Sequence, residues 1–303
     1  MMLHLLLCIL SVPLYAMSAD SDQKVITVFA IPGQNGMGSE SWYVKNVIGE
    51  FSRVISVNTP SLLPDLGQYF CQRHLDDALT NSPYPDDDAI IYATSQGTAT
   101  ALNYLARKPS PNIKAVVLEA ALASGNSAVY HTVTGPAMGD DWLRSVPGAY
   151  YVLPYLASFI CLGYRPGGQQ AIQSVDALSK DLPIIIIHSK NDIQLPYDGA
   201  CALYYRLCTN GNKSTYLITK NGWNHVQILE QQNEKAIVNR ILKKHLQPDG
   251  PSEQHDLDEF QPDPKQFKAQ YDSLILKQKN HVYLERFLAS AACLMAIKQL
   301  SGY

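Results

Sequence analysis

Residues 89–109 read AIIYATSQGTATALNYLARKP, and this stretch decides the fold. Ala89 to Ala93 is an unbroken apolar run of strand length. Ala99, Leu102, Leu105 and Ala106 then recur at helical spacing until Pro109 closes the helix. Between them only Thr94-Ser95-Gln96-Gly97 remains, so a buried strand must turn sharply into a helix around Ser95. Such a turn strains the backbone at the serine. It also needs small residues two positions before and after, here Ala93 and Gly97. The turn sets Ser95 at a helix N-terminus, where backbone amides stabilise negative charge.

Outward from this stretch the chain repeats one pattern: a short β-branched run, a loop, then a helical segment. The runs are Val25–Ala30 (VITVFA), Val54–Val57, Lys114–Leu118, Ile184–Ile187 and Thr215–Thr219. Continuous apolar strands alternating with helices predict an α/β domain whose mostly parallel sheet is covered on both faces. Active loops of such sheets lie at the carboxyl ends of the strands. One strand end carries His188-Ser-Lys-Asn-Asp192, and another carries Lys220-Asn-Gly-Trp-Asn-His225.

A strand–Ala-x-Ser-x-Gly–helix turn followed by an acid loop and then a histidine loop resembles the α/β-hydrolase superfamily over roughly residues 24–246, with a break for an insertion, which implies one such domain over 20–246. Alanine at residue 93 stands where the motif has glycine, which adds one methyl group at a crowded point. The resemblance implies a nucleophile at Ser95, an acid at Asp192 and a general base at His225. It also implies an oxyanion site built from two backbone amides, those of Gln34 and Gln96, the first within Ile31-Pro-Gly-Gln-Asn-Gly-Met-Gly38. The activity implied is acyl ester hydrolysis on a small-molecule substrate, without cofactor or metal. Thioester or peptide cleavage by the same residues, or a non-catalytic binding protein of the same fold, are the alternatives.

Competing readings are weaker. Glu119 ends a strand at a place where relatives of this type sometimes keep their acid. His188 directly follows four isoleucines and reads as a packed residue. His131 lies within reach of the site but inside an insertion. His4, His74, His245, His255 and His281 read as surface residues, and Asp86 to Asp88 as a solvated turn. Gly33, Gly36 and Gly38 do not form G-x-G-x-x-G, and no P-loop Lys-Ser/Thr follows, so a nucleotide cradle is not indicated.

Residues 125–175 interrupt the strand–helix alternation where a cap or lid is expected. They hold only four charged residues, Asp140, Asp141, Arg144 and Arg165, but many aromatics, among them Tyr130, Trp142, Tyr150, Tyr151, Tyr155, Phe159 and Tyr164. This predicts an uncharged aromatic cover suited to an apolar acyl group.

The ends carry further signals. Leu3 to Val12 forms an apolar stretch followed by Ala16, Ser18 and Ala19, which reads as a secretory signal over 1–19 and predicts export. Export would place Cys71, Cys161, Cys201, Cys208 and Cys293 in an oxidising compartment. Cys201 and Cys208 fall on one helix, too far apart to bond. Asn212-Lys-Ser214 is a glycosylation acceptor only in a eukaryotic host. Residues 247–264 read as an acidic, Pro-rich exposed linker. Residues 265–303 read as a helical extension for contact with the body, a partner or a membrane surface. The composition is that of a globular chain: 303 residues, 46% hydrophobic, 17% charged and a net charge of −3. No basic footprint points to nucleic acid.

Overall fold

The computed structural model describes residues 26–33, 39–48, 53–57, 70–134, 145–146, 148–160, 164–222, 225–226, 232–247 and 257–300. The signal-like residues 1–19 and Gln34 lie outside them. Six strands form one sheet: β1 (Thr27–Ile31), β2 (Arg53–Ser56), β3 (Ala89–Thr94), β4 (Ile113–Glu119), β5 (Ile184–Ser189) and β6 (Thr215–Lys220). Their order is β2-β1-β3-β4-β5-β6, and every neighbouring pair is parallel. The expected α/β sheet is therefore present.

Both faces of the sheet are buried because the central strands carry unbroken apolar runs, such as Ala89–Ala93, Ala115–Leu118 and Ile184–Ile187, and side chains alternate faces with period two. In β5, Ile184 and Ile186 enter one core while Ile185 and Ile187 enter the other. In β3, Ile91 and Ala93 divide from Ile90 and Tyr92 in the same way. The first core is closed by α2 (Phe70–Thr80), α3 (Gln96–Arg107) and α7 (Tyr197–Thr209), through residues such as Leu75, Leu102 and Leu203. The second is closed by α1 (Ser39–Val47) and α8 (Gln232–Leu246), through Val44, Val238 and Ile241.

The chain runs from β1 out to the edge strand β2, then returns past β1 to β3 and proceeds the other way. The order thus reverses between β1 and β3, and open parallel sheets form their crevice at such a reversal. Gly33 follows β1 and Ser95 follows β3, so both sit at this crevice.

Between β4 and β5, in the segment expected to form a lid, lie α4 (Gly125–Thr134), α5 (Ala149–Ile160) and α6 (Ala171–Ser174). The last helix, α9 (Lys268–Leu300), crosses α7 and reaches this lid. Leu274 is buried in the first core. Phe267 packs edge-on against Tyr204 at 5.8 Å, and Tyr271 against Tyr205 at 5.0 Å. Gln278 of α9 accepts a hydrogen bond from Asn126 Nδ2 at 2.8 Å and donates to the Pro166 carbonyl at 3.2 Å, so α9 is bonded into the base of the lid.

Four expectations need correction. Residues 247–264 are not an exposed linker throughout. Leu257 is buried in the second core, Phe260 packs beside it, and Gln261 bonds the Lys213 and Thr215 carbonyls. The acidic residues around Leu257 and Phe260 mask two apolar anchors. His281 is not a surface residue either. It is fully buried on α9 with Tyr150, Tyr151 and Tyr155 of α5 around it at 5.5, 5.2 and 5.9 Å. His245 is half-buried and meets the Tyr216 hydroxyl at 3.0 Å. Asn212 is buried, and its amide bonds the Leu182 carbonyl at 2.8 Å, so it presents no glycosylation site on the folded surface. Cys201 and Cys208 do share α7, and with Cys71 they are free thiols.

Candidate active site

The turn between β3 and α3 is held from three sides. Ser95 has φ 50° and ψ −120°, a conformation that L-residues avoid. Its backbone N–H donates to the Glu119 carbonyl of β4 at 2.8 Å, and its own carbonyl accepts from Thr98 N–H at 3.0 Å. Thr98 Oγ1 also bonds that carbonyl while accepting from Leu122 N–H at 2.8 Å. Glycine is obligatory at residue 97, since a β-carbon there would lie 2.5 Å from the Ile31 carbonyl oxygen. Ala93 is accommodated, fully buried, in the first core.

Ser95, Asp192 and His225, read from three separate loops, come together. Ser95 Oγ is 2.9 Å from His225 Nε2, and His225 Nδ1 is 2.8 Å from Asp192 Oδ2. The second carboxylate oxygen of Asp192 accepts the N–H groups of Gln194 and Leu195 at 2.8 and 2.9 Å. Burial alone would raise the Asp192 pKa. The hydrogen bond and charge of His225, the Leu195 amide and His188 outweigh it and hold the carboxyl below its ordinary range. Asp192 is thus ionised and oriented, and it fixes the histidine with its free nitrogen toward the serine.

The loop expected to supply an oxyanion amide is described as far as Gly33. Gly33 abuts Ser95 so closely that a β-carbon on it would lie 2.8 Å from Ser95 Cβ. That contact brings the chain leading into Gln34 to the serine, although Gln34 itself lies outside the described residues. Gln96 opens α3 directly after the serine. Its side chain is drawn back into the core, donating from Nε2 to Cys71 Sγ at 3.2 Å.

The competing residues find other places. Glu119 is fully buried, and its carboxylate accepts hydroxyls from Tyr43 at 2.8 Å and Tyr92 at 2.6 Å. Burial and the Glu119 charge drive the Tyr92 pKa far up, so that hydroxyl stays a donor. His188 is buried beneath the acid, 3.7 Å from Asp192 Oδ2, and donates toward the Leu195 carbonyl. Burial lowers its pKa, with Asp192 partly offsetting the effect, so it packs as a neutral ring. His131 Nε2 lies 3.3 Å from the Asp192 backbone carbonyl and steadies the acid loop from the lid. The Tyr43–Glu119–Tyr92 cluster was not legible in the sequence, because no motif links those positions.

Three non-glycine residues with positive φ occur among the described residues: Ser95, Ala120 and Val226. Each follows directly on a residue of this neighbourhood, Thr94, Glu119 or His225. For a β-branched valine the conformation is a true outlier, and strain of this kind concentrates at functional sites.

The lid departs from one expectation. Tyr150, Tyr151 and Tyr155 turn toward His281 of α9, and Tyr164 is buried in a hydrogen bond to Asn126. Much of the aromatic cover therefore packs the lid onto α9. Trp142 and the Phe159 side chain lie outside the description.

No protein-family model matches the sequence, and no curated protein matches it as a relative. Solved structures do resemble it. An esterase of Pyrococcus furiosus superposes with a TM-score of 0.52 at 14% identity, over 74% of this chain and 84% of that one. An acylaminoacyl peptidase of Pyrococcus horikoshii gives 0.51 at 14%, over 79% of this chain and 40% of its own length. A bromoperoxidase of Bacillus anthracis gives 0.50 at 13%, over 73% and 92%. At these identities the likeness establishes the fold, and the chain has the α/β-hydrolase fold. Since these three structures are an esterase, a peptidase and a bromoperoxidase, the chemistry of this chain has to be argued from its own site.

Proposed function

We propose that this α/β-hydrolase fold is a serine hydrolase that cleaves a carboxylic ester through an acyl-enzyme. The observation that carries the reading is the unbroken relay from Ser95 Oγ through His225 to Asp192, at 2.9 and 2.8 Å. His225 Nε2 takes the Ser95 proton as Oγ attacks the ester carbonyl. Asp192 holds the Nδ1–H and balances the imidazolium charge. The oxyanion meets the amides of Gln96 and Gln34, and loss of one such donor typically costs about 3 kcal/mol. The tetrahedral adduct collapses as His225 returns the proton to the leaving alkoxide, which departs as the alcohol. A water molecule then gives a proton to His225 as it attacks the acyl carbonyl, and His225 returns that proton to Ser95 Oγ as the second adduct collapses and the acid departs.

An apolar acyl group remains the preferred substrate in this reading. Its support is the lid composition, since α5 carries no charged residue. Export through residues 1–19 belongs to the same proposal.

A fluorophosphonate probe tests the chemistry. Wild type should be labelled at Ser95 and should hydrolyse 4-nitrophenyl esters, while Ser95→Ala should do neither and keep its melting temperature. Undiminished turnover by Ser95→Ala would remove the serine from the mechanism. Absence of labelling in wild type would favour the non-catalytic binding protein. Across esters of rising chain length, a preference for acetyl over every longer chain would overturn the apolar acyl reading.

A further inference from the structure

We propose that the outward face of α9, beside the lid, docks the protein onto an anionic lipid surface. Nine large apolar residues are prominently exposed among the described residues, and six of them lie on α5 and α9: Val152, Leu156, Leu276, Tyr283, Phe287 and Leu288. On α9, Leu276, Tyr283 and Phe287 are 61%, 66% and 68% exposed. At about 100° per residue they fall within roughly 40° of one another, a single outward stripe. The neighbouring helix is part of the same surface, because Tyr155 of α5 bonds the His281 carbonyl at 2.8 Å and Asn280 bonds the Tyr151 hydroxyl at 2.9 Å. An apolar concentration of this kind on a globular chain marks an interaction site.

Charge selects the occupant. From residue 273 onward the sequence carries Lys277, Lys279, Arg286 and Lys298 against one acid, Glu285. Glu285 faces the body, with its carboxylate in the space a β-carbon on Gly167 would take. Lys277 lies over the Tyr150 ring at 4.7 Å. Lys279 and Arg286 instead line a groove of about 340 Å³ together with Ile275, Val282 and Tyr283. Two cations next to exposed aromatic and aliphatic side chains match an anionic head group with its acyl chain. This local excess of positive charge runs against a net charge of −3 for the whole chain. No helix among the described residues is long and apolar enough to cross a membrane, so α9 would lie on the surface in the manner of interfacial helices.

The inference does not rest on turnover, and the test keeps it separate. The full chain, as wild type and as Ser95→Ala, is sedimented with vesicles of phosphatidylcholine alone or with 30% phosphatidylglycerol. Both proteins should bind the anionic vesicles, and salt should weaken the binding. Lys279→Gln with Arg286→Gln should weaken it about thirtyfold, roughly fivefold for each charge. Tyr283→Ser with Phe287→Ser should weaken it at least about tenfold. All of these residues lie outside the catalytic relay, so both double variants should hydrolyse a soluble short ester as wild type does, which also reports their folding. No binding to either vesicle, or equal binding to neutral and anionic vesicles, would overturn the proposal. A dimer in light scattering that Tyr283→Ser with Phe287→Ser dissolves, without vesicle binding, would also overturn it and give the face to a second copy.

Discussion

The serine turn and the lid–α9 junction are built by opposite strategies. At the turn, one strained residue is locked by neighbours close along the chain and by one adjacent strand, and its cost of about 1–3 kcal/mol is borne by a rigid sheet. At the junction no non-glycine residue among the described residues has a positive φ. Order there comes from side chains far apart in sequence: Gln278 with Asn126, His281 with three tyrosines, Leu274 in the first core. The candidate site thus rests on a local device, and the helices between β4 and β5 are tied to α9 by a long-range one.

Perturbing each device separately should give different signatures. Asp192→Asn should lower kcat about 10⁴-fold, because the histidine loses its tautomer and cation partner, with little change in melting temperature. A matching loss of stability would mean that the relay and the scaffold are not separable. Leu274→Ala should cost about 2–5 kcal/mol in denaturant titrations yet leave the rate of fluorophosphonate labelling near wild type. A large drop in labelling would show that α9 reaches into the chemistry.

The third test uses pH. Burial pushes the His281 pKa down to about 4, with the Tyr150 backbone only partly offsetting it. The unfolded chain therefore takes up this proton first. The stability contribution is complete above about pH 6.5 and declines as pH falls toward 4, by about 3 kcal/mol at 1.36 kcal/mol per pH unit. His281→Phe should flatten that part of the stability–pH curve, and an unchanged slope would refute the assignment. The smallest effect concerns the support of the turn. Tyr43→Phe removes one hydroxyl from the Glu119 carboxylate, which keeps Tyr92. It should cost about 1–2 kcal/mol in a thermal melt, with a modest drop in kcat/KM.

The same contrast explains what the sequence could disclose. The strands, the turn around Ser95 and the order of Asp192 and His225 were legible because each signal lies within a few residues: an apolar run, a small residue at a fixed offset, a loop after a strand. His281 was misread because the tyrosines that bury it lie on another helix, more than a hundred positions upstream, and a histidine directly after Lys277-Gln-Lys-Asn280 gives no local hint of burial. Leu257 was hidden by the charges flanking it. The role of Glu119 depends on hydroxyls from Tyr43 and Tyr92, residues that share no spacing rule with it. The aromatic lid residues were counted correctly, but composition does not say which way a ring points, and several of them point to α9.

One contact has a consequence for biosynthesis. Asn126 and Gln278 are separated by 152 positions, and their bond joins α9 to the base of the lid. As the chain emerges from the ribosome, the sheet and its serine turn can form well before α9 appears. The nascent chain can then hold the sheet and its serine turn while α4 and α5 still lack their long-range partner, and α9 sets the moment at which they are fastened down.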